Sequence, residues 1–319
     1  MDVHVRDLRY FVAVAEELSF TRAANRLFIS QPTLSKQIRQ LELSLRTVLL
    51  ERDRRSVVLT AAGRALLAHA SRIIEQWEDA RHDVAEVVSQ RERVLTVGFQ
   101  NRIGRGLIPA VTAKMGTLLP DWRLKFRQVS WSDPSAGLAG GEVDVAVTWL
   151  PVPDTGEFTW KVVSTEERWV ALPVEHPLAR RTTIPFVELV SEPFIAHPQS
   201  AGALRDFWLA ADHRQEPARV VAEAENPDES FELVAAGVGV VLLPAENAEI
   251  SQRADIIFRP VLGLSPSRLA VVWRTKDHRE AVRVFADSCA RCMCYLPAGV
   301  TAVADTPTAS DLAHLVHRA

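Results

Sequence analysis

Apolar residues recur at helical spacing in three runs within the first 45 residues of the chain. Each run has one apolar face: Leu8, Phe11, Val12 and Ala15 in the first, Ala23, Ala24 and Leu27 in the second, and Leu34, Ile38 and Leu41 in the third. Ser30 is a good N-cap for the third run, because its hydroxyl can accept a hydrogen bond from an amide of the first turn. Pro32 costs little in that turn. The pattern predicts one helix, followed by two short helices and a tight turn over Phe20–Arg39.

Two helices joined in this way have the build of a helix-turn-helix, whose second helix enters the major groove of DNA. The outward positions of the third run are polar or basic, and such side chains bond base edges and phosphates: Gln31, Thr33, Ser35, Lys36, Gln37, Arg39 and Gln40. A surface helical hairpin is the alternative interpretation. The basic segment Glu51–Thr60 follows as a turn and a short strand, which predicts a wing.

The distribution of charge supports a nucleic-acid partner, although the net charge of the whole chain, −3, argues against one. Phe20–Leu59 contains eight Lys or Arg against three Asp or Glu, so the remainder of the chain is acidic. A basic head on an acidic body is what a localised DNA-binding domain needs. A solvated charged face is the alternative, and it does not require this segregation.

Several short motifs in the first 65 or so residues, in their joint order, resemble the LysR-type transcriptional regulators. The matching pieces are Leu8-Arg-Tyr-Phe, Ser19-Phe20, Ala23-Ala24, Leu27, Ser30-Gln-Pro, Leu34-Ser-Lys-Gln-Ile, Leu41-Glu42, Glu51-Arg52 and Leu59-Thr-Ala-Ala-Gly63. The family usually has Leu-Gly where Leu45-Arg46 stands and Leu-Phe where Leu49-Leu50 stands. Without that glycine, the helix lacks the least costly left-handed C-cap.

The resemblance implies a winged helix-turn-helix that binds promoter DNA. We expect Gln31, Thr33, Ser35 and Lys36 to contact bases, and the basic side chains to hold phosphates. The predicted DNA-binding residues are Arg22, Gln31, Pro32, Thr33, Ser35, Lys36, Arg39, Arg52, Arg54 and Arg55.

A long helix is predicted from Thr60, which can cap it, to Gln90. Its apolar residues are spaced alternately by four and three, which is the seam of a helix that pairs with another helix: Leu66, Ala70, Ile73, Trp77, Ala80, Val84 and Val87. A helix packed on its own domain is the alternative. In the resembled family, this linker helix forms the dimer interface, which implies a homodimer on a roughly two-fold symmetric operator. The resemblance also implies a homotetramer, as a dimer of dimers.

Strands alternate with helices beyond Arg91, which predicts an α/β domain with a mainly parallel sheet. The predicted strands are Val94–Phe99, Leu124–Val129, Val143–Thr148, Arg168–Leu172, Phe194–Ala196, Arg219–Ala222, Val238–Leu243 and Arg268–Trp273, with a last helix over Glu280–Cys292. Gly141-Glu-Val-Asp144, Glu175-His-Pro-Leu178 and Leu233-Val-Ala-Ala-Gly-Val-Gly-Val-Val-Leu-Leu-Pro244 resemble the family's effector domain. That domain has two α/β lobes, like a periplasmic solute-binding protein. The resemblance covers about residues 5 to 295.

Ligands of such folds lie between the lobes, near the C-terminal ends of strands and the N-termini of helices. This rule predicts the effector-binding residues Gln100, Asn101, Ser130, Trp131, Ser132, Thr148, Trp149, His197, Gln199, Ser200 and Asn226. Trp131 stands about where the family usually has Ser or Thr. Two tryptophans suit a planar or apolar effector. Core packing of the tryptophans and a satisfied loop histidine at His197 are the alternatives.

Other kinds of function have weak support in the sequence. The run at Gly237 is not a dinucleotide fingerprint, and no nucleophile or acid/base pair stands in a recognisable context, so we expect no enzyme activity and no cofactor. Cys289, Cys292 and Cys294 cluster near the end of the last predicted helix without a fourth metal ligand, so we expect no metal site. A redox or metal sensor of the same family stays open as an alternative. No run of about 18 apolar residues predicts a membrane span, and no signal pattern begins the chain, so we expect a cytoplasmic protein.

The sequence therefore predicts a LysR-type regulator whose promoter binding is modulated by a small-molecule effector between two lobes. The expected partners are double-stranded promoter DNA, the effector, a second copy of the chain and RNA polymerase. The expected domains are 1–65 for the DNA-binding head, 60–90 for the linker helix, 93–296 for the effector domain and 297–319 for a tail; lobe I takes about 93–163 and 268–296, and lobe II about 164–267. A solute-binding or enzymatic α/β protein with an accessory helical head is the competing interpretation.

Overall fold

Three short helices and a two-stranded wing precede one long helix in the N-terminal part of the chain. The computed structural model describes residues 3–27, 29–52, 57–101 and 106–295. The N-terminal elements are α1 Val5–Glu17, α2 Phe20–Arg26, α3 Gln31–Leu45, β1 Leu50–Arg52, β2 Val57–Leu59 and α4 Ala61–Glu92. The helix-turn-helix, the wing and the long helix predicted from the sequence are confirmed.

The chain forms two compact units. One holds the described residues up to Val94 together with Gly137–Asp144, and the other holds Leu95–Ala136 and the described residues from Val145 onward. The predicted tail, from residue 297, lies outside the described residues.

Side-chain caps and one close contact fix the head of the first unit. Ser19 and Ser30 cap α2 and α3 by accepting hydrogen bonds from the amides of Arg22 and Thr33. Thr60 caps α4 in the same way, and a Cβ on Gly63 would lie 2.2 Å from the backbone oxygen of Leu49. Glycine is therefore required where α4 passes the start of the wing.

Arg46 ends α3 in the left-handed conformation, with φ at +54°. Its amide donates to the carbonyls of Glu42 and Leu43, and the amide of Thr47 donates to Glu42. These bonds form the usual left-handed helix ending. The turn that the family makes with glycine is thus kept by an arginine, which costs roughly 1–2 kcal/mol of conformational strain.

Helix α4 carries two apolar stripes rather than the single seam expected from its spacing. Ala70 is fully buried in the head core, and Leu66 packs against that core from its edge. Ile73, Trp77, Val84 and Val87 are exposed, as is Ala80. The predicted dimer seam is therefore wrong at Ala70, because α1 packs along the first half of α4 and covers that position. Ile73, Trp77, Ala80, Val84 and Val87 remain the predicted partner-facing stripe.

The second unit contains two lobes, each built on a sheet. Its elements are β3 Val94–Phe99, α5 Leu107–Leu118, β4 Arg123–Gln128, β5 Val145–Trp149, β6 Phe158–Glu166, β7 Arg168–Pro173, β8 Ile184–Pro185, β9 Phe194–Ala196, α6 Ala203–Trp208, β10 Val220–Glu223, α7 Pro227–Ala235, β11 Val241–Pro244, α8 Ala245–Ile250, β12 Ile256–Leu262, β13 Ser267–Arg274 and α9 Glu280–Tyr295. Lobe I has the strand order β4-β3-β5-β13-β6. Lobe II has the order β11-β7-β12-β8, and β9 and β10 extend it through a bridge between Phe194 and Val240.

The sheets are mixed, so the prediction of a mainly parallel sheet is wrong. β3 runs parallel to β5, but β13 is antiparallel to both β5 and β6, and β7 is antiparallel to both β11 and β12. The reason is that the chain crosses between the lobes twice, from β6 to β7 and back from β12 to β13. These crossings meet where the Ser267 hydroxyl donates to the backbone oxygen of Glu166 at 3.1 Å.

Candidate functional site

The exposed face of α3 is a polar and basic stripe. Leu34, Ile38 and Leu41 are buried in the head core, which turns the opposite side of the helix to solvent. An open groove follows this side and is lined by Gln31, Pro32, Ser35, Lys36, Arg39, Gln40 and Leu43. Five of the residues predicted to bind DNA therefore share one surface.

Two further residues predicted to bind DNA have side chains that are bonded to other residues of the head. The Thr33 hydroxyl lies 2.8 Å from the hydroxyl of its cap, Ser30. The Arg22 guanidinium contacts the carboxylate of Glu17 at 3.3 Å and also donates to the backbone oxygen of Glu17. Because an exposed ion pair contributes only about 0–1 kcal/mol, a phosphate can compete for Arg22.

The wing supplies the remaining basic positions. β1 pairs antiparallel with β2, which sets Leu50 opposite Leu59 and Arg52 opposite Val57. Arg54 and Arg55 lie outside the described residues. Sequence reasoning missed Glu42, whose carboxylate accepts from the amides of Leu49 and Leu50 at 3.0 and 3.2 Å. Glu42 thereby links the recognition helix to the wing; its place in the Leu41-Glu42 motif was the available signal.

In the second unit, the polar groups of Gln100 and Thr148 are hydrogen-bonded to other residues of the protein. The Gln100 amide donates to the backbone oxygens of Ser130 and Asp133, at 3.2 and 2.8 Å. The Thr148 hydroxyl donates to the amide oxygen of Gln100 at 2.8 Å. Both side chains are buried. Their observed role is to hold the loop that follows β4, which carries Trp131.

Trp131 lies inside a stack of aromatic rings. Its indole is 5 % exposed and stacks on the His197 imidazole, with ring centroids 4.0 Å apart. The Trp208 ring is nearly parallel to His197 at 6.4 Å, and Trp149 meets Trp208 edge-on at 6.2 Å. Trp208, on α6, was missed by the sequence analysis because it stands within a short helix rather than at the end of a strand.

Polar contacts join the two lobes around this stack. The Trp131 indole nitrogen donates within lobe I to the side-chain oxygen of Asn101 at 2.7 Å. Across the lobes, the Trp131 amide donates to the backbone oxygen of Glu225 at 2.8 Å. The Ser130 hydroxyl donates to the Glu225 carboxylate at 3.1 Å. The Ser200 hydroxyl donates to the backbone oxygen of Ser132 at 2.8 Å. Lobe I residues 130–132 therefore bond directly to lobe II.

His197 is neutral at ordinary pH. Burial lowers the pKa of His197 to about 3, and the nearby Arg205 cation contributes to the same shift. Arg205 donates to the backbone oxygen of His197 and pairs with the Glu223 carboxylate at 2.8 Å. The imidazole is thus an uncharged stacking surface with one donor and one acceptor nitrogen.

A small cavity of about 20 Å³ lies beside the stack. Its lining is mostly apolar and contains Asn101, Trp131, His197, Trp208, Pro227, Ser230, Phe231, Val241, Leu242, Leu243, Pro244 and Asn247. Three of the predicted effector-binding residues, Asn101, Trp131 and His197, are among them. Gln199 is exposed on the loop after β9, and Asn226 caps α7 by accepting from the amide of Glu229.

The thiols of Cys289 and Cys292 are poorly suited to react or to bind a metal ion. Burial raises the pKa of the Cys289 thiol and, on the same helix, that of Cys292. The thiolate is the reactive and metal-binding form, so both thiols are poor candidates for a sensor. The side chain of Cys294 lies outside the described residues. Among those residues, no cluster of three or more His, Cys, Asp or Glu is arranged to hold a metal ion.

No helix within the described ranges combines the length and the apolar character needed to cross a bilayer.

Comparison with known proteins identifies both parts of the chain. Residues 5–64 match the family model of the bacterial regulatory helix-turn-helix proteins of the lysR family, and residues 89–293 match that of the LysR substrate binding domain. The Hca operon transcriptional activator HcaR of Escherichia coli is 35% identical over 288 residues, which cover 89% of this chain and 96% of HcaR. The regulator ShiR of Corynebacterium glutamicum is 34% identical over 244 residues, covering 75% of this chain and 82% of ShiR.

Solved structures agree with this assignment. The crystal structure of full-length BenM aligns with a TM-score of 0.51 at 26% sequence identity and covers 93% of this chain and 100% of that one. The two family models together span the helix-turn-helix head and the two-lobed unit. The chain belongs to the LysR family of bacterial transcriptional regulators, which join a DNA-binding head to an effector-binding domain.

Proposed function

We propose that the chain binds operator DNA as a dimer, through the α3 stripe and the wing, and that a small effector in the cleft between the lobes alters this binding. The observation that carries the proposal is the exposed row on α3 that includes Gln31, Ser35, Lys36 and Arg39. Amide and hydroxyl groups contact base edges, while the two cations suit bases or phosphates. The effector shifts the population of DNA-bound arrangements only if it binds one of them more tightly.

A footprint on the DNA upstream of the protein's own gene tests the proposal, with binding measured over a range of salt concentrations. Lys36→Ala should weaken binding and flatten the plot of log K against log[salt] by about one unit for each Lys36 that contacts a phosphate. Lys125→Ala on β4 is the control, because it removes an exposed charge outside the head. An unchanged slope for Lys36→Ala argues against a phosphate contact by Lys36. If neither the DNA upstream of the gene nor any genome-wide fragment is protected, the head does not read DNA.

The exposed stripe of α4 supports dimerisation through this helix, because apolar residues at alternating spacings of three and four suit a paired helix. Ile73 is 42% exposed and Trp77 is 48% exposed. Ile73→Glu should elute as a monomer and bind the operator poorly, since it places a charge on this stripe. Ala68→Glu adds the same charge on the opposite side of α4 and should leave the dimer intact. Elution of Ile73→Glu at the size of the dimer would rule out the stripe as the interface.

The finer parts of the assignment belong to the same proposal. We assign residues 1–65 to DNA binding, 60–90 to dimerisation, 93–296 to effector binding and 297–319 to a tail, in a cytoplasmic protein without enzyme activity. HcaR is named as an operon activator, and contact with RNA polymerase would be the means of such activation. Transcription in vitro from the footprinted promoter, with purified RNA polymerase, tests that contact.

A further inference from the structure

Trp131 belongs by sequence to lobe I but packs in the core of lobe II. It follows β4, yet its indole lies in an apolar cluster with Ala171, Ile195, Ala224, Phe231, Val234, Val241, Leu243, Ala248 and Ile256, all from lobe II. A side chain that crosses between lobes in this way fills space that another molecule could fill when the lobes separate.

The space left beside Trp131 is too small for an effector. About 20 Å³ admits roughly one water molecule, whereas pockets for small ligands usually measure about 300–1,000 Å³. The indole occupies the face of His197 on which a planar ligand would stack. A ring-containing effector can therefore enter only after the indole moves.

The hydrogen bonds that join the Trp131 loop to lobe II are few and lie near the surface. The bond from Ser200 to the backbone oxygen of Ser132 is worth about 0.5–1.5 kcal/mol. The bond from Ser130 to the exposed carboxylate of Glu225 is worth about 1.5–3 kcal/mol before water screens it. The Trp131 amide adds one more bond to Glu225. Because no covalent link or buried ion pair is among these bonds, they can open when a competing ring takes over the apolar contacts that bury the indole.

The lining defines the chemistry of the competing ring. The residues around the cavity within the described chain include no charged side chain. Asn247 and His197 are 5% and 4% exposed, and no hydrogen bond from another described residue reaches the amide group of Asn247 or the ring nitrogens of His197. Asn101 already accepts from the indole N–H. A neutral aromatic ring with an N–H or O–H group would satisfy these partners.

We propose that Trp131 is a built-in occupant of the effector cleft, and that the effector carries a neutral aromatic ring which displaces the indole from His197. This inference rests on the proposed effector function of the two-lobed unit. It makes Trp131 a determinant of specificity, because only a ligand that stacks at least as well as the indole can displace it.

Full-length Trp131→Ala, with free indole as the probe, tests the proposal by calorimetry and thermal melting. Removal of the side chain leaves an apolar site of indole size, so the variant should bind indole at least about tenfold more tightly than the wild type and should melt at a higher temperature in its presence. Trp160→Ala is the matched control, because Trp160 is 46% exposed on β6; it should bind indole no better than the wild type. A folded Trp131→Ala that gains no affinity for indole overturns the proposal.

Benzoate, a charged ring of similar size, tests the neutrality of the site. Trp131→Ala should bind benzoate more weakly than indole, because no charged side chain of the described chain lines the site. Equal binding of the two probes would overturn the proposed neutrality of the effector ring.

Hydrogen exchange of the wild-type protein gives a test that does not depend on the folding of a variant. The Trp131 amide is bonded to Glu225, so the segment around residue 131 should exchange slowly without added ligand. Exchange of this segment as fast as that of an exposed loop would overturn the proposal that the indole occupies the cleft. DNA binding on the same samples separates the two proposals: Trp131→Ala that binds DNA but not indole contradicts only the occupant, whereas wild-type protein without DNA binding contradicts the regulatory function.

Discussion

The proposed DNA-reading face and the proposed effector cleft use polar residues in opposite ways. On α3, Gln31, Lys36 and Arg39 extend into solvent from a helix that is fixed by its buried face. In the cleft, Gln100, Thr148 and Ser130 are bonded to other parts of the same unit. The α3 side chains are therefore exposed without any rearrangement, whereas a ligand of the proposed cleft would have to replace internal contacts.

A substitution at Gly63 gives the strongest test of how rigidly the head is built. Gly63→Ala would place a Cβ 2.2 Å from the backbone oxygen of Leu49. Such overpacking should destabilise the head by about 3 kcal/mol and weaken DNA binding in proportion to the unfolded fraction. Thermal melting measures the loss. Gly116→Ala on α5 is the control, since a Cβ there has no atom within 4 Å; equal losses in both variants would refute the close contact.

Acid should destabilise the cleft through His197. Its pKa is about 6.5 in the unfolded chain and about 3 in the folded one, so the unfolded state binds the proton first as the pH falls. Stability is therefore complete above pH 6.5 and is lost as the pH falls from there towards 3, by about 2 kcal/mol at pH 5. Melting of the wild type and of His197→Gln at pH 7 and pH 5 checks this. A loss of the same size in His197→Gln would show that other groups cause it.

The head should gain stability from a glycine at the end of α3. Arg46→Gly removes a side chain from a residue with φ at +54°, so the variant should be more stable by about 1 kcal/mol. Denaturant unfolding measures the gain. Leu45→Gly, one residue earlier and within α3, should destabilise the head instead. A loss of stability in Arg46→Gly would mean that the arginine side chain contributes more than its strain costs.

The smallest expected effect concerns a single bond between the lobes. Ser200→Ala removes the donor to the backbone oxygen of Ser132 and should cost about 0.5–1 kcal/mol, because the site is near water. Hydrogen exchange of residues 129–133 should become faster while thermal melting changes little. Ser191→Ala, at an exposed serine of the same lobe, is the control; the same exchange rate in both variants would show that the bond does not restrain the lobes.

Several elements of the chain could be predicted because their signal is local. Leu34, Ile38 and Leu41 define the buried face of α3 by spacing alone, and the N-caps at Ser30 and Thr60 are readable from single residues. The strands β6 and β12 were not predicted, although they carry the chain between the lobes. β6 shows little apolar alternation and β12 contains Pro260, so neither resembles an isolated strand in sequence.

The candidate cleft shows the limit of such reasoning. Strand ends pointed to Asn101, Trp131 and His197, which line one cavity; that an effector binds there stays a prediction. The same rule could not show that Gln100 is engaged with the loop before Ser135, or that Trp208 lies behind His197. Those contacts depend on loop conformation and on the packing of α6, which no local spacing encodes.

The sequence by itself determined the helix-turn-helix, the wing, the long α4 and the alternation of strands and helices. It did so because periodicity fixes which face of an element is apolar. Only the tertiary structure decided what covers each face: α1 covers Ala70, whereas Ile73 and Trp77 stay exposed. It also decided that Trp131 packs in lobe II rather than in its own lobe, because burial depends on segments far apart in sequence that meet only when the chain folds.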